Sequence, residues 1–178
     1  RLARANHVAL PPASVPEIVL APKGLAEMVR CARMTNPERA ELLFRQGFAC
    51  SQAILASFAE DQGLLAERGL RLGEGFAGGI CGLGRTCGAV LGAVMVIGLK
   101  HGRTRADDLP ARESTGARVR RFMTLFERSH GSTECRQLLG CAIDTPEKRQ
   151  AARDSGLFLR VCPPLVRSAA ELLEEILP

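Results

Sequence analysis

Hydrophobic residues are most concentrated in the middle of the chain, between residues 75 and 102. A glycine-rich loop there leads into an unbroken apolar run from Ala89 to Leu99, and the next charge is at Lys100. A helix that is apolar on every side belongs in a core, and a membrane span needs about 20 apolar residues. The pattern therefore predicts a buried central helix at about residues 86–100, with Thr86 as its N-cap.

Small residues recur along this central helix. Gly88 and Gly92 share one face at four-residue spacing, and Gly98 follows near the end. Glycine lets a neighbouring backbone approach closely. We therefore expect another helix to pack tightly against the glycine positions.

Apolar residues recur at helical spacing along most of the remaining chain. They predict helices at about residues 36–46, 49–60, 62–74, 111–129, 132–140, 144–153 and 163–177. In the first of these helices, Asn36 is the expected cap and Pro37 the first helical residue. The sequence predicts an all-α fold, a compact multi-helix bundle around the central helix, with residues 37–178 forming a single domain. Residues 1–36 carry four prolines and little periodicity, which predicts an N-terminal arm with a short helix near residues 25–32.

Composition and charge narrow the function classes. Of 178 residues, 46% are hydrophobic and 24% charged, which is ordinary for a soluble globular domain. Without Trp or Tyr, nucleic-acid recognition by base stacking is disfavoured. The net charge is +5, and most of the excess lies between Lys100 and Arg128, where acidic residues are interspersed. Such a mixed-sign run favours a solvated helix face over a basic binding stripe.

Seven cysteines are many for a chain of this size, and the number is odd. The N-terminal residues lack the apolar segment of a secretory signal, so a fully paired extracellular disulfide framework is disfavoured. We expect a cytoplasmic protein with reactive or metal-ligating thiols. Neither nucleic acid nor a membrane is an expected partner.

Four of the seven cysteines fall at predicted starts of helices. They are Cys50, Cys87, Cys135 and Cys162. Exposed amides and the helix dipole favour a thiolate at such positions. If the helices converge, four thiolates can bind an iron-sulfur cluster or zinc, or act as two redox pairs. The alternative is that they are small core residues of a non-catalytic helical scaffold.

The local settings of these four cysteines differ. Ser132 is the expected cap of the helix that carries Cys135. Cys162 is followed by two prolines and is expected at or just before the cap of the last helix. Cys31, near the end of the short N-terminal helix, is expected to be a packing or surface residue.

Cysteine spacing excludes several common motifs. There is no C-x-x-C, so a thioredoxin-type motif, a zinc ribbon and covalent haem attachment are unsupported. Five residues separate Cys81 from Cys87, and five separate Cys135 from Cys141. Such pairs suit a nucleophile and a resolving thiol. In a thiol redox enzyme, Cys87 would attack, and Cys81, Cys50 or Cys135 would resolve.

A set of short segments connects these cysteines to a known family. Cys50 follows an F-x-x-G segment, residues 86–92 read T-C-G-A-V-L-G, residues 135–140 read C-R-Q-L-L-G, and Cys162 precedes the C-terminal helix. From about residue 37 to 177, the pattern resembles the C-GCAxxG-C-C family of putative redox-active proteins. The resemblance implies an all-helical prokaryotic protein with four characteristic cysteines, the same four selected above. The similar domain of split-Soret cytochromes implies a metal cluster and a homodimer, but the absence of a haem-attachment motif argues against haem.

The leading hypothesis is electron transfer through an iron-sulfur site, most plausibly 2Fe-2S. Its cofactor-binding and metal-ligating residues would be Cys50, Cys87, Cys135 and Cys162. The alternatives are a thiol-disulfide oxidoreductase with Cys87 as the attacking thiolate and Cys81 among its partners, a structural zinc protein, and a non-catalytic scaffold. The sequence names no substrate and no redox partner protein.

Overall fold

A computed structural model describes residues 34–178, and this part of the chain contains eight α-helices and no strand. The helices are α1 (Asn36–Arg45), α2 (Cys50–Ala59), α3 (Ala66–Glu74), α4 (Gly88–His101), α5 (Leu109–His130), α6 (Cys135–Leu139), α7 (Pro146–Asp154) and α8 (Leu157–Ile176), and a 3-10 turn at Glu60–Gln62 extends α2. The all-α prediction is confirmed. The predicted N-terminal arm, its short helix and Cys31 lie outside the described residues.

Helix α1 begins one residue earlier than its sequence predicts. Thr35, not Asn36, is the N-cap, because its hydroxyl accepts the Glu38 amide and the Glu38 carboxylate accepts the Thr35 amide at 2.9 Å. This reciprocal capping box satisfies two amides that the helix leaves unpaired. Pro37 therefore lies within the first turn, where its missing N–H removes no helical bond.

The central helix α4 packs against α2, α5 and α8. Gly92 explains the close approach of α2: a Cβ placed there would lie 2.9 Å from the Ile54 Cβ and 3.1 Å from the Ser51 carbonyl oxygen. Gly98 has nothing within 4 Å of such a Cβ, so the expectation that it also admits a neighbouring backbone is wrong. The helix is buried along most of its length, and its late residue Leu99 is 43% exposed.

A second hydrophobic cluster forms where α6 and α7 pack on the start of α8. Its buried members are Cys135, Leu139, Ile143 and Ala152, and Leu157, Phe158, Val161 and Cys162 pack against them. The start of α8 is therefore covered by helices that follow α5 in the chain. This arrangement places two of the four selected cysteines in the second cluster.

Helix α8 starts earlier than expected, so the predicted position of Cys162 at a helix cap is wrong. Cys162 is the sixth residue of Leu157–Ile176, and Pro163 and Pro164 lie inside the helix. A proline beyond the first turn removes a helical hydrogen bond and normally ends or kinks a helix. Here the preceding turns are retained because Phe158 and other apolar residues pack on the second cluster.

No helix among residues 34–178 is both long enough and apolar enough to cross a membrane.

Gly92→Ala should lower the free energy of unfolding by about 1–3 kcal/mol, because the added methyl overpacks the contact with α2. The matched control is Gly98→Ala on the same helix. That methyl enters open space, and alanine has the higher helix propensity, so stability should rise by about 0.5–1 kcal/mol. Denaturant unfolding of the two variants, with their cysteines kept reduced, measures the change in the free energy of unfolding. Equal effects in the two variants would contradict the proposed packing.

Candidate functional site

Four cysteine side chains from four different helices line one cavity of about 590 Å³. They are Cys50 at the start of α2, Cys87 at the N-cap of α4, Cys135 at the start of α6 and Cys162 within α8. The first three are only 5–8% exposed, and Cys162 is half-buried. The cavity lies where the central helices meet the second hydrophobic cluster.

An isolated antiparallel bridge between Thr86 and Glu134 holds the starts of α4 and α6 together. The Cys87 amide donates a hydrogen bond to the Thr133 carbonyl at 2.7 Å, and the Cys135 amide donates back to the carbonyl of the residue before Thr86 at 2.7 Å. Each cysteine directly follows a bridge residue. Two cysteines that are distant in sequence are therefore brought to the same cavity by main-chain hydrogen bonds.

This bridge also corrects two predicted caps. The Thr86 hydroxyl donates to the Glu134 carboxylate at 3.2 Å, and Cys87 takes the N-cap position of α4 without a side-chain capping bond. The Ser132 hydroxyl accepts the Glu134 amide at 2.9 Å in the turn before α6, whose N-cap is Glu134. Both hydroxyls stabilise the junction of the two segments instead of a first helical turn.

The glycine-rich loop before α4 contains five consecutive residues with positive φ, at positions 78–82. Two of them, Ile80 and Cys81, are not glycine, and left-handed backbone costs such residues about 1–2 kcal/mol each. The loop packs under α6 so closely that a Cβ at Gly79 would lie 2.8 Å from the Cys135 Cβ. The loop therefore forms one wall of the cavity.

Cys50 and Cys87 are in direct contact, and the Cys87 thiol donates a hydrogen bond to the Cys50 sulfur. Gly88 makes room for this pair, because a Cβ there would lie 2.5 Å from the Cys50 Sγ and 2.9 Å from the Phe76 carbonyl oxygen. The glycine after Cys87 is thus required for the sulfur of the other helix to fit.

The hydrogen bond from Cys87 lowers the pKa of Cys50 to about 7, against the opposing effect of burial. Backbone amides, chiefly that of Gly78, also stabilise this thiolate. The same hydrogen bond raises the pKa of Cys87 well above its usual range, and burial adds to the shift. The sequence favoured Cys87 as the thiolate, but the structure assigns that state to Cys50. The Ala89 amide at the start of α4 does lower the pKa of Cys87, yet this effect is the smallest of those acting on it.

Cys135 and Cys162 are held in the protonated form. Burial raises the pKa of Cys135 to about 12, and the charges of Cys50, Cys141 and Glu134 add to this shift. Burial also raises the pKa of Cys162, with further contributions from Cys50 and Cys135. Among the four selected cysteines, burial and neighbouring sulfur charge therefore favour one negative sulfur, on Cys50, and keep the other three thiols neutral.

The donor set fits a thiolate-bound metal centre in chemistry and in available space. Cysteine sulfur is the usual ligand of iron-sulfur clusters and of structural zinc. All six cysteines of the described region are free thiols. Among residues 34–178, no three His, Cys, Asp or Glu side chains are arranged to hold a metal ion as they stand. Binding would therefore require the sulfur atoms to rotate toward a common point.

Cys81 and Cys141 differ from the other four. Cys81 lines the cavity but is exposed, and its thiol donates to the Gly75 carbonyl at 3.4 Å. Cys141 is exposed after α6, close enough to Cys135 for its charge to act there. The structure thus places Cys81 at the cavity and Cys141 outside the group of four.

Sequence reasoning missed Arg149, which also lines the cavity. Its Nη1 donates to the carbonyls of Ile143 at 3.1 Å and Gly82 at 3.4 Å. A Cβ at Gly82 would lie 2.8 Å from the Arg149 Nη1, so this glycine admits the guanidinium. In the sequence Arg149 is one charge within a highly charged helix, and nothing there marks it as a cavity residue.

The family model described as "Putative redox-active protein (C_GCAxxG_C_C)" matches residues 48–176, which is more than half of the chain. The matched region includes all four cysteines of the cavity. No curated protein and no solved structure matches the chain.

In the reduced, metal-free protein, one thiol should ionise near pH 7, because Cys50 receives hydrogen bonds from Cys87 and from backbone amides. A pH titration of thiolate ultraviolet absorbance should show this step in the wild type and in Cys141→Ser, and it should be absent in Cys50→Ser. Ionisation only at the ordinary thiol value of about 8.5 would contradict the assignment.

Proposed function

This chain belongs to the C_GCAxxG_C_C family of putative redox-active proteins, and we propose that its redox centre is the cysteine-lined cavity. In this proposal, Cys50, Cys87, Cys135 and Cys162 hold an iron-sulfur cluster of the 2Fe-2S type, and the protein transfers electrons. The observation that supports it is the convergence of four cysteines from four helices on one cavity. A thiol-disulfide pair alone needs only two of them.

The charge balance of the cavity supports a cationic centre. Three of the four thiols keep their protons because burial and neighbouring sulfur charge disfavour further thiolates. These three cysteines would lose their protons on binding iron, whose positive charge would replace them, since metal ligation requires the deprotonated thiolate. Metal binding should therefore release protons.

The protein's own groups would tune such a centre. Amides of Gly78 and Ser51 interact with the Cys50 sulfur, and the Ala89 amide interacts with Cys87. Hydrogen bonds to ligand sulfur and exclusion of solvent both control the reduction potential of a cluster. Cys50, Cys87 and Cys135 are also shielded from water by their burial.

Anaerobically prepared or reconstituted protein should contain about two iron and two acid-labile sulfide ions per chain, because four cysteines complete the ligand set of a 2Fe-2S cluster. Visible absorption should accompany them and should be lost in Cys50→Ser. Cys141→Ser, an exposed cysteine outside the four, is the matched control and should retain the cluster. A colourless, iron-free product after reconstitution would contradict the proposal, and stoichiometric zinc without sulfide would favour a structural zinc site.

A second candidate function is thiol-disulfide exchange, and the contact between Cys50 and Cys87 favours it. The Cys50 thiolate would attack a substrate disulfide and release one substrate thiol. Cys87, after losing its proton, would attack the Cys50 sulfur and release the second thiol, which leaves a Cys50–Cys87 disulfide. The roles are the reverse of those expected from sequence, because Cys50 has the lowered pKa.

If this exchange occurs, mild oxidation of metal-free protein should remove two thiols per chain and yield a Cys50–Cys87 disulfide by peptide mass mapping. Gly88→Ala should suppress that disulfide, because its methyl would lie 2.5 Å from the Cys50 sulfur. Gly98→Ala, on the same helix with open space around it, should behave as wild type. A free-thiol count that stays constant under oxidation would eliminate this candidate.

A further inference from the structure

The cavity is larger than the cysteine centre requires. A volume of about 590 Å³ lies within the range of roughly 300–1,000 Å³ that organic ligands occupy in proteins. A 2Fe-2S cluster adds only four inorganic atoms, and a disulfide adds none. Much of the remaining wall is apolar, including Leu138 and Leu159. The space beside the sulfur atoms is therefore suited to an organic molecule.

Three phenylalanines line this space. They are Phe44 in α1, Phe48 in the α1–α2 connection and Phe158 near the start of α8. All three are half-buried, in contrast to the fully buried Phe122 and Phe126 of the core. Aromatic side chains favour stacked or edge contacts with another planar ring. Three such rings lining one cavity favour a planar ligand.

Two arginines of α7, Arg149 and Arg153, line the same cavity at four-residue spacing. Neither forms an ion pair with any carboxylate of residues 34–178. The Arg149 Nη1 is held in place by two backbone carbonyls, and the Arg153 Nη1 donates to the Gln150 side-chain oxygen at 3.4 Å. A guanidinium is a strong donor to carbonyl or anionic oxygen. Among residues 34–178, the one carboxylate lining the cavity is Glu74, which is exposed; Arg153 is exposed as well, whereas Arg149 is half-buried.

We propose that this cavity binds a quinone, which serves as the small-molecule electron acceptor of the cysteine centre. A quinone is planar and largely apolar, which suits the phenylalanines. Its oxygen atoms gain negative charge on reduction, which complements Arg149 and Arg153. The electron-acceptor role rests on the proposed redox function, whereas the binding site stands on the geometry of the cavity.

The reaction balances with the residues present. Closing the Cys50 and Cys87 thiols to a disulfide releases two electrons and two protons. Reduction of the quinone to the hydroquinone consumes two electrons and two protons.

Binding is best tested with duroquinone, because its fully substituted ring offers no position for addition of a thiol. The wild type and the Cys50→Ser/Cys87→Ser double variant should both bind about one duroquinone per chain in equilibrium dialysis. The double variant separates binding from redox chemistry. The chain has no Trp and no Tyr, so quinone absorbance is the readout in place of protein fluorescence.

Phe48→Ala should weaken binding by about tenfold, because burial of a phenyl surface is lost. Arg149→Met should weaken binding as well. Phe48→Leu should weaken binding less than Phe48→Ala does, and it controls for the loss of side-chain volume. Leu72→Ala, at an exposed leucine outside the cavity, should bind as wild type. Circular dichroism of each variant checks that the helices are retained.

Failure of duroquinone to bind saturably, or affinity that is unchanged in both Phe48→Ala and Arg149→Met, would overturn the proposal. Binding of flavin mononucleotide in its place would do the same. One outcome is that the double variant binds duroquinone, with weaker binding when Phe48→Ala or Arg149→Met is added, while the wild type shows no redox activity. In that case the binding site stands and the proposed function fails. If iron or disulfide chemistry is found without quinone binding, the proposed function stands and this inference fails.

Discussion

The fit of the Cys50 sulfur into the space that a side chain at position 88 would fill is the constraint on which the site depends. It sets the distance between the starts of α2 and α4, and any larger residue at position 88 would occupy the space of the sulfur. Cys87 lies against Cys50 at the same point, and its hydrogen bond to Cys50, together with the Gly78 amide, favours the thiolate on Cys50. The packing therefore allows the hydrogen bond between the two thiols that shifts their pKa values.

The site joins two parts of the helical fold. Cys50 and Cys87 belong to the packed pair α2 and α4, while Cys135 and Cys162 belong to the second hydrophobic cluster. The Thr86–Glu134 bridge holds these parts in register. A redox centre that involves all four sulfur atoms would link both parts covalently or through metal bonds. Loss of either part would leave only half of the centre.

The central helix and its close packing partner could be predicted from the sequence, because local patterns of apolar residues and glycines determine them. The apolar run after Cys87 predicted the central helix, and the spacing of Gly88 and Gly92 predicted its close neighbour. The order of the thiol pKa values was not readable, since it depends on Cys87 donating to Cys50 across two helices. The setting of Cys162 was misjudged because packing on the second cluster keeps a helix that its two prolines would be expected to end.

If the four sulfur atoms act as one centre, titration of Cd²⁺ into the reduced protein should show this most directly. Cadmium prefers soft thiolate ligands, and X-ray absorption at the metal edge counts the sulfur atoms around it. We predict one tightly bound ion per chain with four sulfur neighbours. An ion with two or fewer sulfur neighbours, or several weakly bound ions on separate cysteines, would contradict it.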